Sequence, residues 1–309
     1  MDVTALRTST APRSRARRWL AEWPVLALNL PSALVLAVLV LLPAAAAVVF
    51  SLHTIRIGEG IILRFVGLQQ FLAMPAIPEV WIALKNTAYF GLLSVALTVL
   101  IGTAIALIID SDFPGHKVLL ALVIVPWATP NIINALMWSW IYDAAYGSLN
   151  GVLYSLGLIS EYQAWLSTPA SAMHAVVFAY VWKLVPFVVI TIYAALQAVP
   201  TEIYEAAATD GATGRHVLRS ITLPLISPAV MVSVVFCTIW SLRVFDLIYV
   251  LTRGGPGRAT FILNWYAFAQ AFEFGTMGRA SALGTLLGVI TFILTYAYVR
   301  VLRVDRGLA

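Results

Sequence analysis

Residues 205–224 read EAAATDGATGRHVLRSITLP, a polar, glycine-punctuated segment set between two long apolar runs, 170–198 and 221–250. Each run exceeds the roughly 20 apolar residues that a helix needs to cross a bilayer, so the polar segment must lie on one side of a membrane. Its own composition is that of a short docking element. Pro200 and Thr201 can start a helix, with Thr201 as N-cap and Glu202 facing the positive helix end. Glu205, Ala206, Ala207 and Ala208 continue it with strong helix formers. Gly211 and Gly214 then permit a sharp change of direction, and the next run opens at Leu223-Pro224, where proline is tolerated. The expectation is a helix-turn-helix along the cytoplasmic surface. Its alanines would let a soluble protein approach closely, with Glu205 and Asp210 offering charge at the rim. The plainer alternative is an ordinary amphipathic surface helix.

Composition extends this to the whole chain. Of 309 residues, 61% are hydrophobic and 11% charged, with mean hydropathy +0.91, against about 25% charged in soluble domains. Six stretches are long enough to span: 25–52, 83–109, 118–141, 170–198, 221–250 and 280–302. The predicted fold is all-α, a polytopic membrane protein with six transmembrane helices. Residues 1–24 form a basic tail and 25–309 the membrane domain, with the cytoplasmic loop at about 200–220.

Orientation follows from basic residues, which cytoplasmic loops retain. With the amino terminus inside, Arg7, Arg13, Arg15, Arg17, Arg18, Lys117, Arg215, Arg219, Arg300, Arg303 and Arg306 fall on the inner side, eleven of the nineteen Lys and Arg. Both termini are therefore predicted to be cytoplasmic. Trp and Tyr gather where headgroups would lie, at Trp19, Trp23, Trp81, Trp138, Tyr146, Trp165 and Trp265. The arginine-rich tail suits an anionic lipid face and argues against nucleic acid as a partner. The first apolar run is longer than a cleaved signal's usual 7–15 residues and reads as a retained helix.

Several chemistries are excluded. A P-loop needs Gly-Lys before Ser or Thr, yet the three lysines precede Asn86, Val118 and Leu184. No cofactor, metal or catalytic site is expected, because His53, His116, His174 and His216 are scattered and Cys237 stands alone. Lys183, Arg243 and Asp246 fall inside spans, where charge costs about 2.5 to 3.5 kcal/mol and needs a reason. Arg243 and Asp246, three apart, would pair along one helix face; lining a cavity is the alternative. Lys183 would face a phosphate-bearing ligand or a carboxylate of a partner. Gly284 and Gly288 form a close-approach pattern suited to a second subunit or to packing within the chain.

The segment Glu205-Ala206-Ala207, then Gly211, then Ile221-x-Leu223-Pro224, resembles the EAA motif of importer-type ABC permeases. Trp182-Lys183-Leu184-Val185-Pro186-Phe187, Leu196-Gln197-Ala198-Val199-Pro200, Val125-Pro126-Trp127-Ala128-Thr129-Pro130-Asn131 and Phe245-Asp246 with Leu251-Thr252-Arg253-Gly254-Gly255-Pro256 are similar to carbohydrate-uptake members of that family, the maltose and glycerol-phosphate type. Within that family the chain is similar to the F-type subunit of a heterodimeric pair. The resemblance implies a type I importer fold in the prokaryotic cytoplasmic membrane. It also implies a second permease, two copies of an ABC ATPase subunit that use ATP and Mg, and an extracytoplasmic solute-binding protein. Glu205, Ala206, Ala207, Asp210 and Gly211 would then form the coupling helix that transmits closure of the ATPase dimer. The same resemblance places ligand contacts on Trp127, Asn131, Tyr180, Leu184, Phe187 and Ser241, with Pro126, Pro130 and Pro186 kinking the helices around them. The expected cargo is a sugar or sugar-like solute; the alternatives are glycerol 3-phosphate or glycerophosphodiesters and, less favoured, a stand-alone secondary transporter, which would show inverted repeats and midplane carboxylates.

Overall fold

The computed structural model describes residues 27–57, 61–111 and 113–305, so the basic tail read at 1–24 lies outside the described residues. Two compact units divide the chain, Met1–Val49 and Phe50–Ala309. The first unit's described residues, 27–49, all belong to α1 (Ala27–Ser51), 25 residues long, whose most apolar 18-residue stretch has mean hydropathy 2.9 and which carries a π turn at Ala37–Leu41. Its length and composition suit a bilayer span.

In the second unit the chain first makes a hairpin, β1 (His53–Ile57) against β2 (Ile61–Phe65), antiparallel with His53 opposite Phe65. An all-α reading gives no sign of these strands, which are a small addition to a helical fold. The short α2 (Gln69–Ala73) follows. Then come α3 (Pro78–Asp110), α4 (His116–Ala128), α5 (Asn131–Ile141), α6 (Ser148–Ser155), α7 (Pro169–Gln197), α8 (Thr201–Thr209) and α9 (Gly214–Leu242). The chain continues through α10 (Asp246–Leu251), α11 (Leu263–Phe268) and α12 (Met277–Asp305). Among the described residues five helices are long and apolar enough to cross a membrane, and the bent pair α4–α5 makes a sixth when taken as one span.

The central helix is α7, with 67% of its most apolar window buried. It is started by Pro169 in the first turn and by Thr168, whose side chain accepts from the Ser171 amide. Its main neighbour is α3, which turns Ser94, Thr98, Gly102 and Ala106 inward at four-residue spacing. Apolar lipid gives helices little reason to associate beyond tight packing, so small residues at the contact decide how closely backbones approach. Gly102 shows how close: a Cβ there would lie 2.6 Å from Val188 Cβ. α9 closes the core against both helices through Ile226 and Cys237.

Two spans are interrupted. At Thr129-Pro130 the chain turns by 100° between α4 and α5; Pro130 supplies no amide and forces Thr129 into an extended conformation, ψ 136°. α7 by contrast runs unbroken through Pro186. The second break corrects the sequence reading of one span over 221–250: α9 ends at Leu242 and α10 starts at Asp246. The Asn264 side-chain amide donates to the carbonyls of Arg243 (3.0 Å) and Val244 (3.2 Å), giving partners to backbone that has left the helix.

Candidate functional site: a cavity at two helix breaks and an exposed elbow

Both breaks open onto one cavity of about 450 Å³. Trp127 from the end of α4, Asn131 and Asn134 from α5, Tyr180, Lys183 and Leu184 from α7, and Trp240 with 243–247 from the α9–α10 junction form its wall. The volume lies within the ordinary range for small-molecule pockets, about 300–1,000 Å³. Aromatic faces back the polar groups. Phe187 packs against Trp240 at 4.7 Å and Trp127 at 6.1 Å between ring centroids, and Phe90 supports Tyr180 at 5.0 Å.

Of the six positions assigned to ligand by resemblance, Trp127, Asn131, Tyr180 and Leu184 therefore share one wall. Phe187 is half-buried in the aromatic layer behind Trp127 and Trp240. Ser241 is off the wall: it is 1% exposed and donates to the Thr238 carbonyl at 2.9 Å. Its oxygen is 3.4 Å from where a Gly91 Cβ would stand, so it faces α3. Asn134 was not anticipated, although Asn131 and Asn134, one turn apart on α5, share a helix face. Trp240, Val244 and Phe245 carry no motif that marks them as cavity residues.

The three charges that the sequence places inside long apolar runs meet different fates. Lys183 donates to the Thr129 carbonyl at the end of α4, where the helix dipole is negative and the proline break has removed a backbone donor. Arg243 and Asp246 do not pair: the helix that would have aligned them is broken between them, and no ion pair joins them among the described residues.

The elbow is built as its glycines suggest, with one change at its start. Pro200, not Thr201, occupies the N-cap position, and no side chain caps α8; Glu202 does stand in the first turn. At the other end Gly211 adopts φ +74°, and its amide bonds to the Ala208 carbonyl at 3.0 Å while the Ala212 amide bonds to Ala207 at 2.9 Å. This is the Schellman closure, whose left-handed residue favours glycine. Ala207 is buried, whereas Glu205, Ala206, Asp210 and Gly211 are exposed. Behind α8 a groove of about 470 Å³ runs along Tyr204, Ala208, Val217 and the end of α3. There Gln197 of α7 donates to Asp110 of α3 at 2.7 Å.

Membrane-length helices around a polar cavity, with a solvent-exposed elbow joined to two of the cavity helices, define a membrane transport subunit. The chain belongs to the family described as "Binding-protein-dependent transport system inner membrane component", whose family model matches residues 110–304. It is an ABC transporter permease subunit and a multi-pass protein of the inner membrane. The chain is 40% identical over 279 residues to the trehalose/maltose transport system permease protein MalF of Thermococcus litoralis, covering 90% of this chain and 92% of that protein. To the sulfoquinovosyl glycerol transport system permease protein SmoG of Agrobacterium fabrum it is 31% identical over 305 residues, 98% of each. In fold it is similar to a chain in the crystal structure of a bacterial alginate ABC transporter in complex with alginate pentasaccharide-bound periplasmic protein, with TM-score 0.79 at 21% identity, covering 91% of this chain and 94% of that one.

Proposed function

We propose that this permease carries a sugar or sugar-like solute into the cytoplasm as one half of a heterodimer. ATP and Mg are used by two copies of a separate ATPase subunit, and an extracytoplasmic binding protein delivers the ligand. The observation that carries this reading is the single cavity in which Trp127, Asn131, Tyr180 and Leu184 come together at the α4–α5 break. An indole face beside amide and hydroxyl groups is suited to a ring that is apolar on its faces and polar at its edge. The sugar-linked names of MalF and SmoG support the same cargo.

Coupling runs from the elbow inward. Glu205, Ala206, Asp210 and Gly211 present the surface for the ATPase, and Ala207 anchors α8 to the rest of the chain. Closure of the ATPase dimer displaces α8, and the displacement passes to the root of α9. The Gln197–Asp110 bond ties the ends of α7 and α3 together beside it. Since α7 and α9 both contribute to the cavity wall, ATP binding changes which side the cavity faces. The elbow is then cytoplasmic, and so are both termini.

Affinity purification in mild detergent, followed by ATP hydrolysis with a panel of oligosaccharides and glycerophosphodiesters, tests this. ATPase co-purification with stimulation by an oligosaccharide is expected. Solute movement by this chain without an ATPase would overturn it.

A further inference from the structure

A second polar pocket, of about 240 Å³, lies between the hairpin, α2 and the start of α12. It is on the side away from the elbow: α3 begins beside α2 at Pro78 and ends at Asp110, which Gln197 bonds just before the elbow. Thr54, Gln69, Gln70, Thr276 and Arg279 supply its polar wall. The volume falls below the roughly 300 Å³ at which small-molecule sites usually begin. A close backbone contact fixes its shape. A Cβ on Gly278 would collide with the His53 carbonyl, so β1 sits directly on the first turn of α12 and holds Thr54 beside Arg279.

Arg279 is half-buried there, and among the described residues its side chain has neither a hydrogen bond nor an ion pair. Its place in the first turn of α12, at the positive helix end, disfavours a cation further. Glu79, at the start of the neighbouring α3, is already taken by Arg258 at 3.0 Å. A second guanidinium stands close by. Arg64 is opposite Thr54 in the hairpin, and residues directly opposite share a sheet face, so Arg64 lies on the face that carries Thr54 to the pocket. It is exposed and equally unpaired among the described residues. Two cations and two side-chain amides, with no acid in the wall, call for an anion.

The depth of the pocket selects the kind of anion. Between Arg279 and Arg300, α12 carries no charged residue. That interval is about 32 Å of helix, close to the roughly 30 Å of a hydrocarbon core, so the two arginines reach the two headgroup layers. The surroundings agree. Phe65, Leu68 and Leu72, in the segments that border the pocket, are 66%, 63% and 76% exposed, an apolar surface that acyl chains would cover. Trp81 is exposed nearby on α3 and donates its indole N–H to the Pro75 carbonyl at 3.0 Å, as suits a membrane interface. A soluble partner would have to bring its acid down to this depth, whereas lipid phosphate is already there.

We propose that this pocket binds the phosphodiester of an anionic phospholipid in the leaflet away from the elbow. Arg279 and Arg64 donate to its oxygens, and its acyl chains cover Phe65, Leu68 and Leu72. Guanidinium forks match phosphate oxygens in bidentate geometry, and the lipid would join β2 to α12 where the described residues supply no ion pair. Nothing in this site depends on the cargo.

The test takes the assembled transporter, purified in detergent and stripped of lipid, and follows binding of dioleoyl phosphatidylglycerol, dioleoyl phosphatidylcholine and inorganic phosphate by native mass spectrometry. Wild type should hold phosphatidylglycerol more tightly than phosphatidylcholine, and excess inorganic phosphate should fail to displace it. Arg279→Gln and Arg64→Gln should each weaken the tightest phosphatidylglycerol binding about tenfold, as for a lost charge-assisted hydrogen bond, and Arg279→Lys should weaken it less. Arg64 is exposed on the hairpin, so its variant reads binding even where Arg279→Gln lowers the yield of folded chain. Equal affinity for the two lipids, or unchanged phosphatidylglycerol binding in both Gln variants, would overturn the proposal. So would displacement by inorganic phosphate alone, which marks a site for a free anion. A raised requirement for binding protein in vesicle uptake, with lipid binding unmoved, would give the pocket to a protein carboxylate and overturn it too.

Discussion

The ammonium of Lys183, on α7, donates to the carbonyl of Thr129, the last residue before the 100° turn between α4 and α5. A cation in the middle of the central helix thus closes the open end of a broken one. Lys183→Met should remove a charge-assisted bond of about 1 to 2 kcal/mol at this half-exposed position and lower the melting temperature of the purified complex, with Lys183→Arg falling less. Identical melting curves for wild type and Lys183→Met would show that the bond does not hold the break in place.

Gly102 and Gly288 give a paired prediction. A side chain at Gly102 collides with Val188, whereas nothing lies within 4 Å of a Cβ at Gly284 or Gly288. Gly102→Leu should therefore cost at least the 1 to 3 kcal/mol usual for overpacking and deplete folded protein in the membrane. Gly288→Leu should leave the folded yield of this chain unchanged. Fluorescence-detected size exclusion of tagged variants compares them, and equal yields would contradict the tight α3–α7 contact.

At the elbow, Gly211→Ala places a Cβ at φ +74° and should cost about 1 kcal/mol, while Gly211→Pro also removes the amide that bonds Ala208. The proline variant, and Glu205→Lys at the exposed face, should leave ATP hydrolysis running without uptake. Transport and hydrolysis measured on the same vesicles give the coupling ratio. Wild-type ratios in both variants would remove the elbow from the coupling pathway.

In the cavity, Trp127→Ala and Asn131→Ala should shift ligand preference or raise KM, with Ser241→Ala as the comparison, since Ser241 faces α3 and is bonded to Thr238. Competition among sugars in the uptake assay reads the shift. A larger effect at Ser241 than at Trp127 and Asn131 would put the ligand elsewhere.

Much of this architecture is written locally. Long apolar runs announce the spans, Pro130 announces a kink, and the glycines at 211 and 214 announce the elbow. What local pattern cannot carry is structure made by distant partners. The break at 243–245 contains no proline or glycine; it exists because Asn264, about twenty residues on, supplies the missing donors. For the same reason the Arg243–Asp246 pairing expected from their spacing does not form. The hairpin at 53–65 shows no alternation strong enough to separate it from its apolar flank. Trp127, Asn131, Tyr180 and Leu184 sit in motifs that carry the family resemblance, whereas Asn134 belongs to none and reaches the wall because α5 turns that face to the cavity.

The closure at Gly211 has one more consequence. Two backbone bonds tie the turn onto the last residues of α8, which opposes fraying of that helix end. On the coupling role proposed above, the segment is a stiff crank: torque from an ATPase subunit would pass to the foot of α9, with the stroke set by geometry more than by compliance.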